Sequence, residues 1–283
     1  MGRGPAFLLP LVPGCALAGA IAISPPRLDI TLTGTQAAEA VKVVNLDTNP
    51  IRLKVSVAHW RLDEHNRVEV IPPTPQSADQ WLLITPLEFV VEPGKFQTLR
   101  ILVRPRVKPE VGEHRAMIFL DEQPPDTKEF ATRNLARIGV GVYVWVPPVE
   151  RKAIFHCADA GYFQKPMALL DLESTGNAHV RPAVQFVVWP KEKFPGKAGT
   201  VKVQESPSSP VVVPAGAVAA GLVPDIPVLP GTRRKIVFPL AESLPAGEYW
   251  LDLSGQVDSL PIAEVVPFIV PELPSGDARD GAH

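Results

Sequence analysis

The side chains best suited to covalent or acid–base chemistry are few. Cys157 follows His156, and Asp159 lies two residues on, a set that could supply a thiol nucleophile, its base and an orienting acid. Adjacent residues on a strand point to opposite faces, so His156 and Cys157 are expected to diverge and to be structural. The chain has 6 His, none in a metal-ligand pair such as two His four apart on a helix. His59 beside Trp60 reads as an ordinary strand position, and His114 in "GEHR" as a turn or strand-start residue. Glu110, Glu113, Asp121 and Glu122 read as solvated loop and strand-end charges rather than a general acid and base. Gly-rich phosphate loops, a nucleophile elbow and a kinase signature set are missing from the sequence. No catalytic residue, metal ligand or cofactor site is nominated, and an enzyme is disfavoured.

Those residues must be carried by a scaffold, and the totals bound it. A chain of 283 residues suits two domains of roughly 120 residues each. Its formal net charge of -2 and pI of 6.3 give no basic stripe, which argues against a nucleic-acid partner. The 33 Pro residues, several in pairs, would break helices and interior ladders, which favours many short strands with abrupt ends. Residues 1–22 read as a cleaved export signal: Arg3, an apolar run from Ala6 to Leu17, then small-x-small cleavage sites at Ala18-Gly19-Ala20 or Ala20-Ile21-Ala22. The apolar run is too short to span a bilayer comfortably, so no stable membrane insertion is expected. Val12-Pro13-Gly14-Cys15 loosely resembles a lipoprotein cleavage site, with an atypical Pro before the Gly. If Cys15 leaves with the signal, Cys157 is alone and no intrachain disulfide can form.

The chain also repeats itself. "VVNLDTNPIRLKVSV" (43–57) is answered by "LESTGNAHVRPAVQF" (172–186), "VEPGKFQTLRILV" (91–103) by "VLPGTRRKIVFPL" (228–240), and "VGEHRAMIFLDE" (111–122) by "LPAGEYWLDLSG" (244–255). In the first half, alternation predicts strands near 26–32, 39–46, 51–60, 67–71, 81–91, 96–103, 115–122 and 136–146, separated by turn signals. That pattern implies an all-β protein with two immunoglobulin-like β-sandwich domains in tandem, 23–148 and 149–272, and a flexible tail over 273–283. The Pro/Ala/Gly-rich stretch 205–227 reads as an insertion, loop with one short strand.

One strand breaks the usual half-apolar pattern. In "RIGVGVYVWVPP" (137–148), Ile138, Val140, Val142, Val144 and Val146 fill one face while Gly139, Gly141, Tyr143 and Trp145 fill the other. Neither face is polar, so something must cover both.

"RLDITLTGTQAAEAVKVVN", "WLLITPLEFVVEPGKFQTLRI", "GEHRAMIFLDEQPP" and this apolar strand, in that order behind an export signal, resemble the PapD-type periplasmic chaperones of the chaperone–usher pilus pathway. "P-L-x-F-x-V-x-P-G-K-x-Q-x-x-R" (Pro86 to Arg100) is the most telling part. The resemblance implies a periplasmic chaperone that lends its last first-domain strand to pilin-like subunits lacking one strand and delivers them to an outer-membrane usher. Ile138, Val140 and Val142, with Leu135 from the lead-in, are the expected donated residues. The family also grips the client's C-terminal carboxylate with an Arg and a Lys. Arg27 matches the Arg, although its spacing to Gly34 is looser. No Lys occurs in the last strand, and Arg137 is its only basic residue, which marks a divergent member. The alternative is an exported structural or adhesive surface protein of two β-sandwich domains. A pilin should carry a donor extension near its N-terminus, and here the chain enters its first strand almost directly after the signal.

Overall fold

The computed structural model describes residues 21–124, 135–206 and 209–272, and the backbone of Ala16–Ala18. Most of the expected export signal and the whole 273–283 tail lie outside these residues. The chain divides into two compact units, Met1–Val149 and Glu150–His283, each an all-β sandwich.

In the first unit, β1 (Ala16–Ala18), β2 (Ile21–Ser24), β4 (Ala37–Asn45), β9 (Phe96–Val103) and β7 (Leu82–Thr85) form one sheet in that order. The facing sheet runs β3 (Arg27–Thr31), β11 (Arg137–Val146), β10 (Gly112–Glu122), β5 (Ile51–Leu62), β6 (Val68–Ile71), with β8 (Glu88–Val91) also pairing β5. The chain changes sheets between β2 and β3 at Pro25-Pro26, where neither residue has an N–H to donate. The expected continuous strand 81–91 is two strands in different sheets. Pro86 interrupts it; β7 pairs β9 while β8 pairs β5.

Alternation decides the core. Val41 and Val43 on β4, Leu99, Ile101 and Val103 on β9, Ile51 and Leu53 on β5, and Ile118 and Leu120 on β10 interdigitate between the sheets. Each such side chain contributes about 1.5–3 kcal/mol when fully buried. Asn45, also buried, ties the turn after β4: its Nδ2 donates to the carbonyls of Asn49 and Val91, each at 2.8 Å, and its Oδ1 accepts from the Asp47 N–H at 2.8 Å.

The second unit repeats the plan. β12 (Ala153–Phe163), β13 (Lys165–Ser174) and β16 (Arg233–Pro239) form one sheet; β15 (Ala219–Leu222), β14 (Pro182–Pro190), β17 (Gly247–Val257) and β18 (Leu260–Val270) form the other. The repeated sequence pairs occupy equivalent places: β4/β5 match β13/β14, β9 matches β16, and β10 matches β17. Among its described residues, the 205–227 insertion contributes one strand, β15. No helix among the described residues is long and apolar enough to cross a membrane.

His156 departs from its expected place. The β12–β13 register slips between Phe155 and Cys157, so a bulge interrupts the alternation that would have separated His156 from Cys157. His156 Nε2 lies 2.7 Å from Glu173 Oε2, and Cys157 is an exposed free thiol.

Candidate functional site

β11 is where the unusual apolar pattern must be resolved. It runs antiparallel to β10 along its whole length, from Arg137 opposite Asp121 to Val146 opposite Gly112. On its other side, β3 runs parallel to it only from Gly141, opposite Arg27, to Trp145, opposite Thr31. Among the described residues, Arg137–Val140 therefore has a strand on one side only.

The direction of its backbone groups follows from two hydrogen bonds. The Trp145 carbonyl accepts from the Leu32 N–H at 2.8 Å on the β3 side, and the Ala136 carbonyl accepts from the Glu122 N–H at 2.9 Å on the β10 side. In a strand, successive residues alternate in direction. The main-chain groups of Arg137 and Gly139 thus face the uncovered edge, and those of Ile138 and Val140 face β10.

The side chains answer the question of cover differently from the expectation. Val140 is 1% exposed, Val142 is fully buried and Ile138 is 8% exposed; all three belong to the first unit's own core. They do not form a vacant face awaiting a client. Because β11 is an internal strand from Gly141 onward, its even-numbered positions are committed to the facing sheet. Leu135 does differ: it precedes the strand and is 46% exposed.

The opposite face is covered from within its own sheet. Tyr143 meets Trp60 edge-on, with ring centroids 5.9 Å apart. Trp145 Nε1 donates to Glu113 Oε2 at 3.3 Å. The glycines make room: a Cβ on Gly139 would lie 2.9 Å from Met117 Sδ. Gly139 itself is exposed.

The two candidate anchors do not converge. Arg27 Nε donates to Asp29 Oδ2 at 3.0 Å. Arg137 Nε pairs with Asp121 Oδ1 at 3.0 Å, and its guanidinium lies 4.3 Å from the centre of the Phe119 ring. Since Arg27 is level with Gly141, four positions separate it from Arg137, about 13 Å along the strand. Each guanidinium already has an acidic partner.

Two carboxylates expected to be solvated are buried. Glu113 holds Arg115 Nη1 at 3.0 Å as well as Trp145. Glu122 closes the mouth of the β10–β11 pair, its Oε2 accepting from the Ala136 N–H at 3.0 Å. Alternation through Ala116, Ile118 and Leu120 was a usable signal that Glu122 points inward. His114 is likewise buried within β10, its ring nitrogens 2.6 Å and 2.8 Å from the carbonyl oxygens of Gln76 and Glu110.

No family model matches the chain, and no curated protein matches it. Solved structures do. The chaperone–tip adhesion subunit pre-assembly complex CsuC–CsuE, from archaic chaperone–usher Csu pili of Acinetobacter baumannii, includes a chain 13% identical to this one. The match covers 88% of this chain and 97% of that one at a TM-score of 0.44. The chaperone YadV is 11% identical, with 88% and 99% covered at 0.44. The Salmonella enterica complex of the SafA pilin with the SafB chaperone gives 13% identity, 90% and 98% coverage, and 0.43. Among the described residues, no group of three or more His, Cys, Asp and Glu is placed to hold a metal ion.

Proposed function

We propose that this protein is a periplasmic, non-enzymatic chaperone that caps pilin-like subunits by strand pairing at the start of β11. The observation that carries the reading is that, among the described residues, Arg137–Val140 has a free edge beside β3, which joins β11 only from Gly141. An edge strand offers main-chain donors and acceptors to an incoming strand. Arg137 and Gly139 supply them, Leu135 adds apolar surface, and Ile138 lies at the border of the core. The resemblance of Pro86 to Arg100 to PapD-type chaperones supports the same assignment. Delivery of the bound subunit to an outer-membrane usher rests on that resemblance.

The test is co-expression with export of the tagged chain and the small subunits encoded beside its gene. Wild type is expected to co-purify with a subunit from the periplasmic fraction. Arg137→Pro removes one edge-facing N–H without touching the β10 ladder and should abolish that complex, whereas Arg137→Ala should retain it. Equal capture by the folded Pro variant, or no capture by wild type, would sink the reading.

A further inference from the structure

The second unit carries a strap after β14. Residues 191–203 leave the end of β14 and cross the outer face of the β14–β17 pair, where Phe194 and Val203 pack with Val187, Trp189 and Trp250 in a small core of their own. Gln185 on β14 pins the far end: its Nε2 donates to the Val201 carbonyl at 2.7 Å, and its Oε1 accepts from the Val203 N–H at 3.0 Å.

Beneath this strap lies Asp252 of β17, 3% exposed. Its surroundings are poor in charge. Its cross-strand neighbours are Val187 and Val265, its outward neighbours along β17 are Trp250 and Ser254, and Glu264 is opposite Leu253 on the inward-facing side. From the strap, Lys197 bears on it electrostatically while its Nζ donates to the Ala263 carbonyl at 3.1 Å. The other strap cations point elsewhere: Lys191 pairs with Glu248, Lys193 lies near Gly216, and Lys202 donates to the Glu205 carbonyl at 3.2 Å.

The hydrogen-bond count beneath the strap is one proton short. Thr200 Oγ1 stands 2.8 Å from Asp252 Oδ2 and 3.0 Å from the Lys197 carbonyl oxygen, and both are acceptors when Asp252 is ionised. A hydroxyl has one hydrogen to give. A proton on Asp252 completes the chain, because the acid then donates to Thr200 Oγ1 and the Thr200 hydrogen goes to the Lys197 carbonyl.

We propose that residues 191–203 form a pH-sensitive latch, shut while Asp252 holds a proton and loosened when that proton leaves. Burial pushes the Asp252 carboxyl up from its ordinary value of 3.8, against opposing pulls from the Thr200 hydroxyl and the Lys197 ammonium. The direction follows by linkage. Below the ordinary value the carboxyl is protonated whether the strap is shut or open. Above it the open form ionises first, so closure weakens with rising pH, by up to about tenfold per pH unit, until the shut form ionises as well.

The test is hydrogen exchange of the full chain at about pH 4.5 and about pH 7.5, read by mass spectrometry on fragments spanning 194–204 and corrected for intrinsic exchange rates. In wild type, protection of these amides should fall at the higher pH relative to fragments from β13, by up to about tenfold per pH unit wherever only the open form is ionised. Asp252→Asn keeps a permanent donor toward Thr200 and should stay equally protected at both values. Thr200→Val removes the relay hydrogen bonds and should be less protected than wild type at both values. Equal wild-type protection at the two pH values, or a pH response retained in Asp252→Asn, would overturn the latch.

Discussion

Arg27 stands level with Gly141, and that pairing divides β11 into a covered part and an open one. Downstream, β3 and β10 flank the strand. Upstream, Arg137 and Gly139 direct their main-chain groups at a side where no described strand lies. The site is therefore an edge, defined by where a neighbouring strand starts.

Val140 and Leu135 should separate stability from capture. Val140 is enclosed in the core and Leu135 is 46% exposed. Val140→Asp puts an unpaired charge in that core and should cost about 4 kcal/mol in urea denaturation. Leu135→Asp should change stability by no more than about 0.5 kcal/mol while weakening subunit capture. A Val140→Asp protein as stable as wild type would refute the inward placement.

The acid response of the second unit should trace to Asp171. Its carboxyl is held below the ordinary 3.8 chiefly by hydrogen bonds from Arg233, with Nε at 2.9 Å from Oδ1 and Nη2 at 3.0 Å from Oδ2. A carboxylate with a depressed folded-state value contributes stability that is present above the unfolded value and lost as pH falls through the folded one. Arg233→Gln should lower the urea midpoint at neutral pH, and its gap from wild type should close in strong acid. A gap that stays constant across that range would show the pair to be inert.

Two glycines should respond unequally to alanine. At Gly255, φ is +148° and a Cβ would stand 2.2 Å from the Ala183 carbonyl oxygen, a backbone atom that cannot move aside. At Gly139 the obstacle is Met117 Sδ at 2.9 Å, on a flexible side chain. Gly255→Ala is expected to cost about 2 kcal/mol or more and Gly139→Ala less than about 1 kcal/mol, compared by thermal unfolding. The reverse order would contradict the packing at both sites.

Export should leave Ile21 as the first residue. Both small-x-small sites satisfy the cleavage pattern, but Ile21 is buried in the core and pairs with Asn45 across β2 and β4. Cleavage after Ala20 keeps that contact, whereas cleavage after Ala22 discards it. The intact mass of protein recovered from the periplasm distinguishes them: a chain starting at Ile23 would refute the choice, and an unprocessed chain would refute export.

Alternation and turn chemistry made most of the sandwich legible, because a strand half-buried in a core writes its inward face at every second residue. The pattern fails where that period is interrupted. Pro86 split one expected strand between two sheets, and the bulge at His156 undid the argument that it diverges from Cys157. Glu113 was read as solvated because a charged residue near a strand end usually is, yet Arg115 and Trp145 enclose it.

The chain's own order of residues determined that 137–146 is a strand with two apolar faces, since side-chain direction has a period of two and needs no knowledge of neighbours. It could not determine which face turns inward or which edge stays open. Those depend on β3, more than a hundred residues earlier, and on the point at which it joins β11. Backbone hydrogen bonds between distant segments carry no mark in the local pattern, so only the folded arrangement decided that Val140 is core and that Arg137 and Gly139 line the edge.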